Sequence, residues 1–327
     1  MGRDDIVFFG NHLPIPVNED MSSISVYPRN GKGLKRFLDQ EGFDILHFHE
    51  PFVPFLSWQL LRVSRTTNVA TFHSFPEASL LVKVLGKPAK TLILPTLKKK
   101  IKKFSAVSLT AADFVQDLVE EIEIIPNAID LQRFMVKKKI KKFDDGKVNL
   151  LYVGRLSPRK GVPYLLKGIK RIKEDPNCFR LIVVGRGPEE EKVKEFVEKN
   201  RLHNVVFVGR VSNQELPLYY RTADIFCAPA IWGESFGIVL LEAMAAGLPV
   251  VAFANAGYKT VLGEKPFAEF LAEPKDTITL ARLLERMIVN KELREKMGKA
   301  GLKKAKDYSW ETVGEKILDF YNSALEL

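Results

Sequence analysis

Two glutamates eight positions apart, Glu234 and Glu242, are the side chains whose type and spacing point most directly to chemistry. They lie in Gly-Glu-Ser-Phe-Gly-Ile-Val-Leu-Leu-Glu-Ala-Met-Ala-Ala-Gly, residues 233–247. From Ile238 to Ala246 the stretch reads as a buried helix that ends at Gly247, ahead of Pro249. On that helix the two acids stand about 12 Å apart along the axis, at 1.5 Å per residue. The helix start offers N–H groups and the positive end of the dipole, a place for an anion. Ser235 is placed as its N-cap, and Gly237 admits close approach of a phosphate or a neighbouring backbone. A carboxylate does not help to bind phosphate but accepts hydrogen bonds from hydroxyls. Acids on both sides of a diphosphate-sized anion site suit a ligand with a sugar at each end, which describes a nucleotide-sugar.

Three further stretches set glycine and cations directly after apolar runs. In 153–161, Val-Gly-Arg-Leu-Ser-Pro-Arg-Lys-Gly, Gly154 lets a ligand reach the backbone, with Arg155 and Lys160 beside it. An arginine can clamp phosphate oxygens in bidentate fashion and a lysine acts as a point charge. Taken alone, this is equally a solvated basic turn. Gly185 lies in Val184-Gly185-Arg186-Gly187-Pro188, which falls short of a full dinucleotide-binding glycine pattern. Arg210 and Val211 follow Gly209 after a third apolar run. His73 ends an apolar run in Ala70-Thr71-Phe72-His73-Ser74 and is expected at a strand end facing a cleft between domains; alone, it reads first as a core histidine. His47 and His49 share a strand face, as two metal ligands can. No third ligand follows at a recognisable spacing, and the chain has no Asp-x-Asp, so no metal is expected.

Together these motifs resemble the retaining glycosyltransferases of family four, which have the GT-B fold, and within them the phosphatidyl-myo-inositol mannosyltransferase branch. The resemblance carries Glu-x7-Glu onto Glu234 and Glu242, and the diphosphate-binding cations onto Arg155 and Lys160. It makes His73 the histidine that contacts the donor sugar, and makes His73 and Glu234 the residues needed for turnover. Gly154 and Gly185 then line the donor cleft, Arg210 and Val211 meet the base through their backbones, and Ser235, Phe236, Gly237 and Ile238 complete the donor loop. The acid these mannosyltransferases carry near Asn213 is missing, so the base is open between GDP and UDP. The implied reaction needs no cofactor besides the nucleotide-sugar and retains the anomeric configuration. The sugar is mannose or glucose, and the acceptor a lipid or polyol such as phosphatidylinositol.

Those residues require strands that end on one edge of a sheet. At 327 residues the chain suits two α/β domains. The resemblance makes them Rossmann-like and places them on either side of a cleft. The lysine-rich 137–142 and the turn Asp144-Asp145-Gly146 set the expected boundary, giving 1–144 and 145–308, with a last helix, 309–327, packing back on the first domain. Strands are expected at 148–153, 180–184, 204–208, 224–228 and 249–253, alternating with helices near 162–173, 188–200, 213–221 and 237–246. Helices near 276–289, 291–306 and 309–325 close the chain. In the first half, strands at 6–9, 43–48, 68–72, 104–109 and 121–125 enclose a Pro-rich turn through Pro14 and Pro16, a helix at 32–40 and a basic helical region at 77–103. Family members begin with a strand, a Gly-rich loop and a helix that this sequence does not show, so the first domain is expected to be incomplete at its N-terminus.

The net charge of +10 is spread over both halves, but Lys83–Lys103 holds eight lysines and no acid. In the resembling mannosyltransferases a basic first helix docks on anionic lipid, and Lys32, Lys35 and Arg36 match it loosely. A solvated charged surface is the other reading of those residues. Aromatic residues do not interleave with the lysines, which argues against nucleic acid. The two cysteines are too few for a disulfide framework or a zinc site, and no apolar run reaches the ~18 residues of a membrane span. A cytoplasmic enzyme, peripheral on the inner face of the membrane, is the expectation. A soluble transferase building polysaccharide or small glycosides, and a non-catalytic nucleotide-sugar binder, remain as alternatives.

Overall fold

The structure, a computed structural model, describes residues 7, 9, 11–17, 20–26, 31–51, 56–73, 98–113, 115, 116 and 119–326. The chain divides into two compact units, one running to Ile125 and resuming at Glu315–Leu327, the other Pro126–Gly314.

In the first unit, β1 (Asn11–Val17) and β2 (Asp20–Val26) form an antiparallel hairpin. The expected Pro-rich turn is therefore a strand. Pro14 and Pro16 are two apart, so their missing donors fall on one edge of the ribbon, where proline is tolerated. Then come α1 (Lys32–Glu41), β3 (Ile45–His49), α2 (Leu56–Val63), β4 (Thr67–Phe72), β5 (Lys103–Ala106), α3 (Leu109–Asp113) and β6 (Glu123–Ile124). Strands β3-β4-β5-β6 pair in that order, all parallel. Val69, Ala70 and Phe72 on β4 are buried, as a strand covered on both faces requires. Leu34 of α1 is fully buried, while Phe37 packs edge-on against Phe9 with ring centroids 5.0 Å apart. Most of the expected basic helical region, 77–97, lies outside the described residues, as do residues 6 and 8 of the expected first strand; Val7 and Phe9 are not in a strand.

The second unit opens with α4 (Leu131–Phe134) and continues through β7 (Val148–Val153), α5 (Val162–Arg171), β8 (Phe179–Val184), α6 (Glu190–Lys199), β9 (Val205–Gly209), α7 (Leu216–Thr222), β10 (Ile225–Ala228), α8 (Ile238–Ala245) and β11 (Val250–Phe253). It closes with α9 (Ala256–Leu262), β12 (Leu271–Ala272), α10 (Thr277–Val289), α11 (Lys291–Ala305) and α12 (Trp310–Leu325), whose residues from Glu315 onward belong to the first unit. The sheet order is β12-β11-β10-β7-β8-β9, entirely parallel. The chain winds outward from β7 in both directions, so the topological switch point lies between β7 and β10.

Alternate residues of these strands feed one core. Leu150 and Tyr152, Leu181 and Val183, Ile225 and Cys227, Val251 and Phe253 join Leu165 and Leu166 of α5 and Leu280 and Leu284 of α10. Each such side chain contributes about 1.5–3 kcal/mol by leaving water, and truncating Leu150 to alanine is expected to cost about 2–5 kcal/mol. The division between units falls after Ile125 rather than after residue 144, because the intervening segment is tied to the second unit. Ile129 N–H donates to the Tyr308 carbonyl at 2.8 Å, Ile140 N–H to Thr222 Oγ1 at 2.9 Å, and Asn149 Nδ2 to the Phe143 carbonyl at 2.9 Å. A lysine-rich composition suggested a linker; the buried Phe134 and Phe143 make it part of a core instead.

Candidate active site

The loop after β7 and the loop after β10 meet at the switch point. Gly161 has φ 70°, and a Cβ there would lie 1.9 Å from the Pro229 carbonyl oxygen, so only glycine lets the two backbones pass. Ile231 N–H donates to the Arg159 carbonyl at 2.9 Å. On the other flank a Cβ on Gly185 would fall 1.9 Å from the Gly154 carbonyl oxygen, and Gly154 N–H donates to the Val184 carbonyl at 3.0 Å. Gly154 and Gly185 therefore let neighbouring strand ends touch.

Glu234 is brought against the cations of the β7 loop. Its Oε1 accepts from Lys160 Nζ at 2.6 Å and from Arg159 Nη1 at 2.8 Å, and Arg159 Nη1 also reaches the Gly233 carbonyl at 3.3 Å. The three side chains are only 11–20% exposed, so these ion pairs are screened less than surface pairs. Arg155, expected beside Lys160, is exposed, and its carbonyl accepts the Tyr152 hydroxyl at 2.9 Å. Burial raises the Tyr152 and Tyr258 phenols, with the negative charge of Glu234 as the next cause, so both stay protonated beside it.

Behind this loop, Asn255 Nδ2 donates to the Ala230 carbonyl at 2.8 Å while its Oδ1 caps α9 by accepting Tyr258 N–H at 2.9 Å. Gly257 fits so closely that a Cβ would lie 2.1 Å from the Glu234 carbonyl oxygen. Arg159, Asn255 and Gly257 were not among the sequence-predicted residues. Of these, Asn255-Ala256-Gly257 carried a readable signal, small and capping residues directly after a strand.

Helix α8 starts at Ile238, and its N-cap is Gly237 in a left-handed conformation, φ 98°, with no side-chain cap. Ser235 is thus not the N-cap: the chain turns into the helix two residues later. Leu240 N–H donates to the Gly237 carbonyl at 2.9 Å, and the N–H groups before it, of Ile238 and Val239, have no carbonyl within the helix to meet. Phe236 is buried with its ring 5.8 Å from that of Tyr308, edge-on. Ile238 is exposed. One turn further on, Glu242 Oε2 accepts the Tyr220 hydroxyl at 2.6 Å. Burial raises the Glu242 carboxyl, opposed by that hydrogen bond and by the charge of Arg133. Tyr220 is itself locked between Phe134 and Phe226, each 5.4 Å away centroid to centroid. Arg210 is exposed and Val211 half-buried, in the loop that follows β9.

The histidines belong to the first unit, and the structure joins them. His73, just past β4, has its Nε2 2.6 Å from His49 Nδ1, and its N–H donates to Glu50 Oε1 at 2.7 Å. His47 stacks on His49 with ring centroids 4.4 Å apart. Its Nδ1 lies 2.7 Å from the Tyr321 hydroxyl and its Nε2 2.6 Å from Thr71 Oγ1, which in turn is 2.6 Å from Ser105 Oγ. Burial, then the neighbouring His49 and His73, lower His47 to about 4. Among the described residues, no group of three or more His, Cys, Asp or Glu side chains is arranged to hold a metal ion.

On α1, Lys32 and Arg36 are exposed, whereas Lys35 pairs with Asp39. Of the basic stretch, Lys98 pairs with Glu120 at 3.0 Å and Lys103 with Glu123 at 3.2 Å; Lys99, Lys100 and Lys102 are exposed, and 83–97 lie outside the described residues. No helix among the described residues is long and apolar enough to cross a membrane.

The loops after β7 and β10 thus bring Arg159, Lys160 and Glu234 together at the switch point beside the start of α8, with Glu242 braced by Tyr220 one turn along that helix. The chain belongs to the glycosyltransferases: the family described as glycosyl transferases group 1 matches residues 135–304, and glycosyltransferase family 4 matches residues 4–133. It is 32% identical over 319 residues to the phosphatidyl-myo-inositol mannosyltransferase of Mycobacterium leprae, covering 97% of this chain and 83% of that one. A glycosyltransferase from Rickettsia africae superposes with a TM-score of 0.75 at 19% identity, covering 94% of this chain and 84% of that one. Anabaena HepE in complex with UDP-glucose superposes with a TM-score of 0.70 at 18% identity, covering 90% and 82%. The two parallel-sheet units are the Rossmann-like domains of the GT-B fold.

Proposed function

We propose that this glycosyltransferase moves a hexose, mannose in the first instance, from a GDP- or UDP-linked nucleotide-sugar to a lipid or polyol acceptor such as phosphatidylinositol, with retention and without a metal. The observation that carries the reading is the convergence of Lys160 and Arg159 on Glu234 beside the open start of α8. The choice of mannose and phosphatidylinositol is supported by the mycobacterial relative, whose name specifies both.

In this reading Lys160, Arg155 and the N–H groups from Gly237 and Ile238 hold the diphosphate, and Gly154 and Gly185 keep the wall open to it. As the glycosidic bond breaks, negative charge grows on the leaving diphosphate and positive charge on the sugar. Fixed cations and N–H dipoles stabilise the former without reorganising. Glu234 accepts hydroxyls of the donor sugar. Glu242, oriented by Tyr220, accepts those of the ribose, and the backbones of Arg210 and Val211 meet the base. Ser235 and Phe236 contribute loop backbone, and His73 contacts the donor sugar. The acceptor attacks from the face the diphosphate leaves, and the leaving phosphate helps to take its proton. Metal independence rests on Lys160, Arg155 and the helix start supplying the charge an ion would otherwise bring. The enzyme is then cytoplasmic, peripheral on anionic membrane through Lys32 and Arg36.

The test is a transfer assay with GDP-mannose and phosphatidylinositol vesicles, with EDTA present throughout. Formation of an α-mannosyl lipid is expected. Hydrolysis alone, or turnover that EDTA abolishes and magnesium restores, would reject the reading as stated.

A further inference from the structure

We infer that Arg159 is a positioning residue that holds Glu234 on the donor sugar while Lys160 serves the phosphate. This rests on the donor-site reading above and assigns a division of labour within it.

Both cations meet the same oxygen, Glu234 Oε1, but they hold it differently. The side chain of Lys160 reaches it at the end of a flexible stem, at 2.6 Å, while its backbone N–H donates to the Ser157 carbonyl within its own loop at 3.0 Å. Arg159 is tied to the loop at several points: its Nη1 reaches Glu234 Oε1 at 2.8 Å and the Gly233 carbonyl at 3.3 Å, and its own carbonyl accepts Ile231 N–H at 2.9 Å. These contacts bracket Trp232 and fix the loop on both sides of it. A planar guanidinium can serve two acceptors at once, whereas an ammonium on four methylenes swings as a compact charge. A diphosphate entering the crevice competes with Glu234 for Lys160, which can turn to it. Arg159 stays, because its carbonyl is already zipped to the loop, and Glu234 keeps a partner. With Oε1 tied to Arg159, Oε2 is the oxygen presented to sugar hydroxyls. Phosphate affinity and sugar recognition are thereby carried by adjacent residues.

The test compares dissociation constants for GDP and GDP-mannose, or for UDP and UDP-glucose if those bind, in the full chain and in R159M, R159K and K160M. K160M is expected to weaken both members of the pair alike. R159M should leave the diphosphate within about twofold while lowering affinity for the nucleotide-sugar at least about fivefold, the size of one lost charge-assisted contact. R159K keeps the charge; should R159M fail to fold, the same ratio is read on R159K, where it is expected to fall at least about threefold because one ammonium cannot also hold the Gly233 carbonyl. Equal weakening of both ligands by R159M would make Arg159 a phosphate ligand or a general structural element and overturn the inference. No change in either ligand would overturn it too. If K160M leaves diphosphate binding untouched, the donor-site reading itself fails, and this inference with it.

Discussion

Lys160 Nζ lies 2.6 Å from Glu234 Oε1, although the two residues are 74 positions apart in the chain. The glycine contact between Gly161 and the Pro229 carbonyl makes that approach possible, since it lets the two strand-end loops run against each other. Under the proposed donor site, the cation assigned to the phosphate is thus already occupied by the acid assigned to the sugar, and an incoming nucleotide would exchange with it.

Replacing Lys160 with methionine should weaken nucleoside diphosphate binding by about 10- to 100-fold, as expected for loss of a charged hydrogen bond. Isothermal titration with GDP and UDP measures it. An unaltered dissociation constant would count against the phosphate assignment.

Glu234→Ala should reduce transfer by about 100-fold or more. Diphosphate affinity should be unchanged or tighter, because Lys160 loses a competing anion. Initial rates and titration on the same preparation separate the two effects, and normal turnover would reject the role of Glu234 on the sugar.

Gly161→Ala should destabilise the second unit by about 2–5 kcal/mol, combining a left-handed backbone at φ 70° with a Cβ 1.9 Å from a carbonyl oxygen. Urea titration checks it. A midpoint equal to that of the parent would mean that the two loops part without cost.

Stability should fall as pH drops from about 6.5 towards 4. The unfolded His47 takes up a proton near 6.5, whereas in the fold burial and the adjacent His49 and His73 lower it to about 4. The unfolded chain therefore binds more protons across that window; the contribution is complete above 6.5 and is lost on acidification. His49, lowered first by burial and then by His73, adds in the same direction. H47Q should flatten the acid limb in thermal melts at stepped pH, and an identical slope would remove His47 as its source.

Flotation with anionic vesicles should lose about 10- to 30-fold in the K32Q/R36Q double variant, at about 1 kcal/mol per basic group near the surface. K35Q should lose less, since Lys35 already pairs with Asp39. Equal binding by the double variant would place any membrane contact elsewhere.

Much of the second unit was legible in the sequence because parallel strands buried on both faces leave unbroken apolar runs, and the first three of them, β7, β8 and β9, end in a glycine. What escaped had weaker signatures. Leu271–Ala272 is a two-residue strand, too short for any period to show, and α9 hides its start behind Asn255 in a run of small residues. Arg159 looked like one more surface cation; its role depends on a loop 74 residues away, which no local pattern encodes. Ser235 had the composition of a cap, but the tight turn at Gly237 displaced the helix start. In the first unit, two prolines signalled a turn where an edge strand forms, and the pairing of His49 with His73 links strands that only the sheet register brings together.

The return of residues 315–327 to the first unit also orders events on the ribosome. The second unit is one uninterrupted segment, Pro126–Gly314, whereas the first is complete only once Tyr321, which anchors His47, has been added after it. The usual sequence of vectorial folding, N-terminal part first, is therefore expected to run in reverse here. Limited proteolysis of a released chain truncated after residue 314 should show the later-made unit protected and the earlier-made one still open to cleavage.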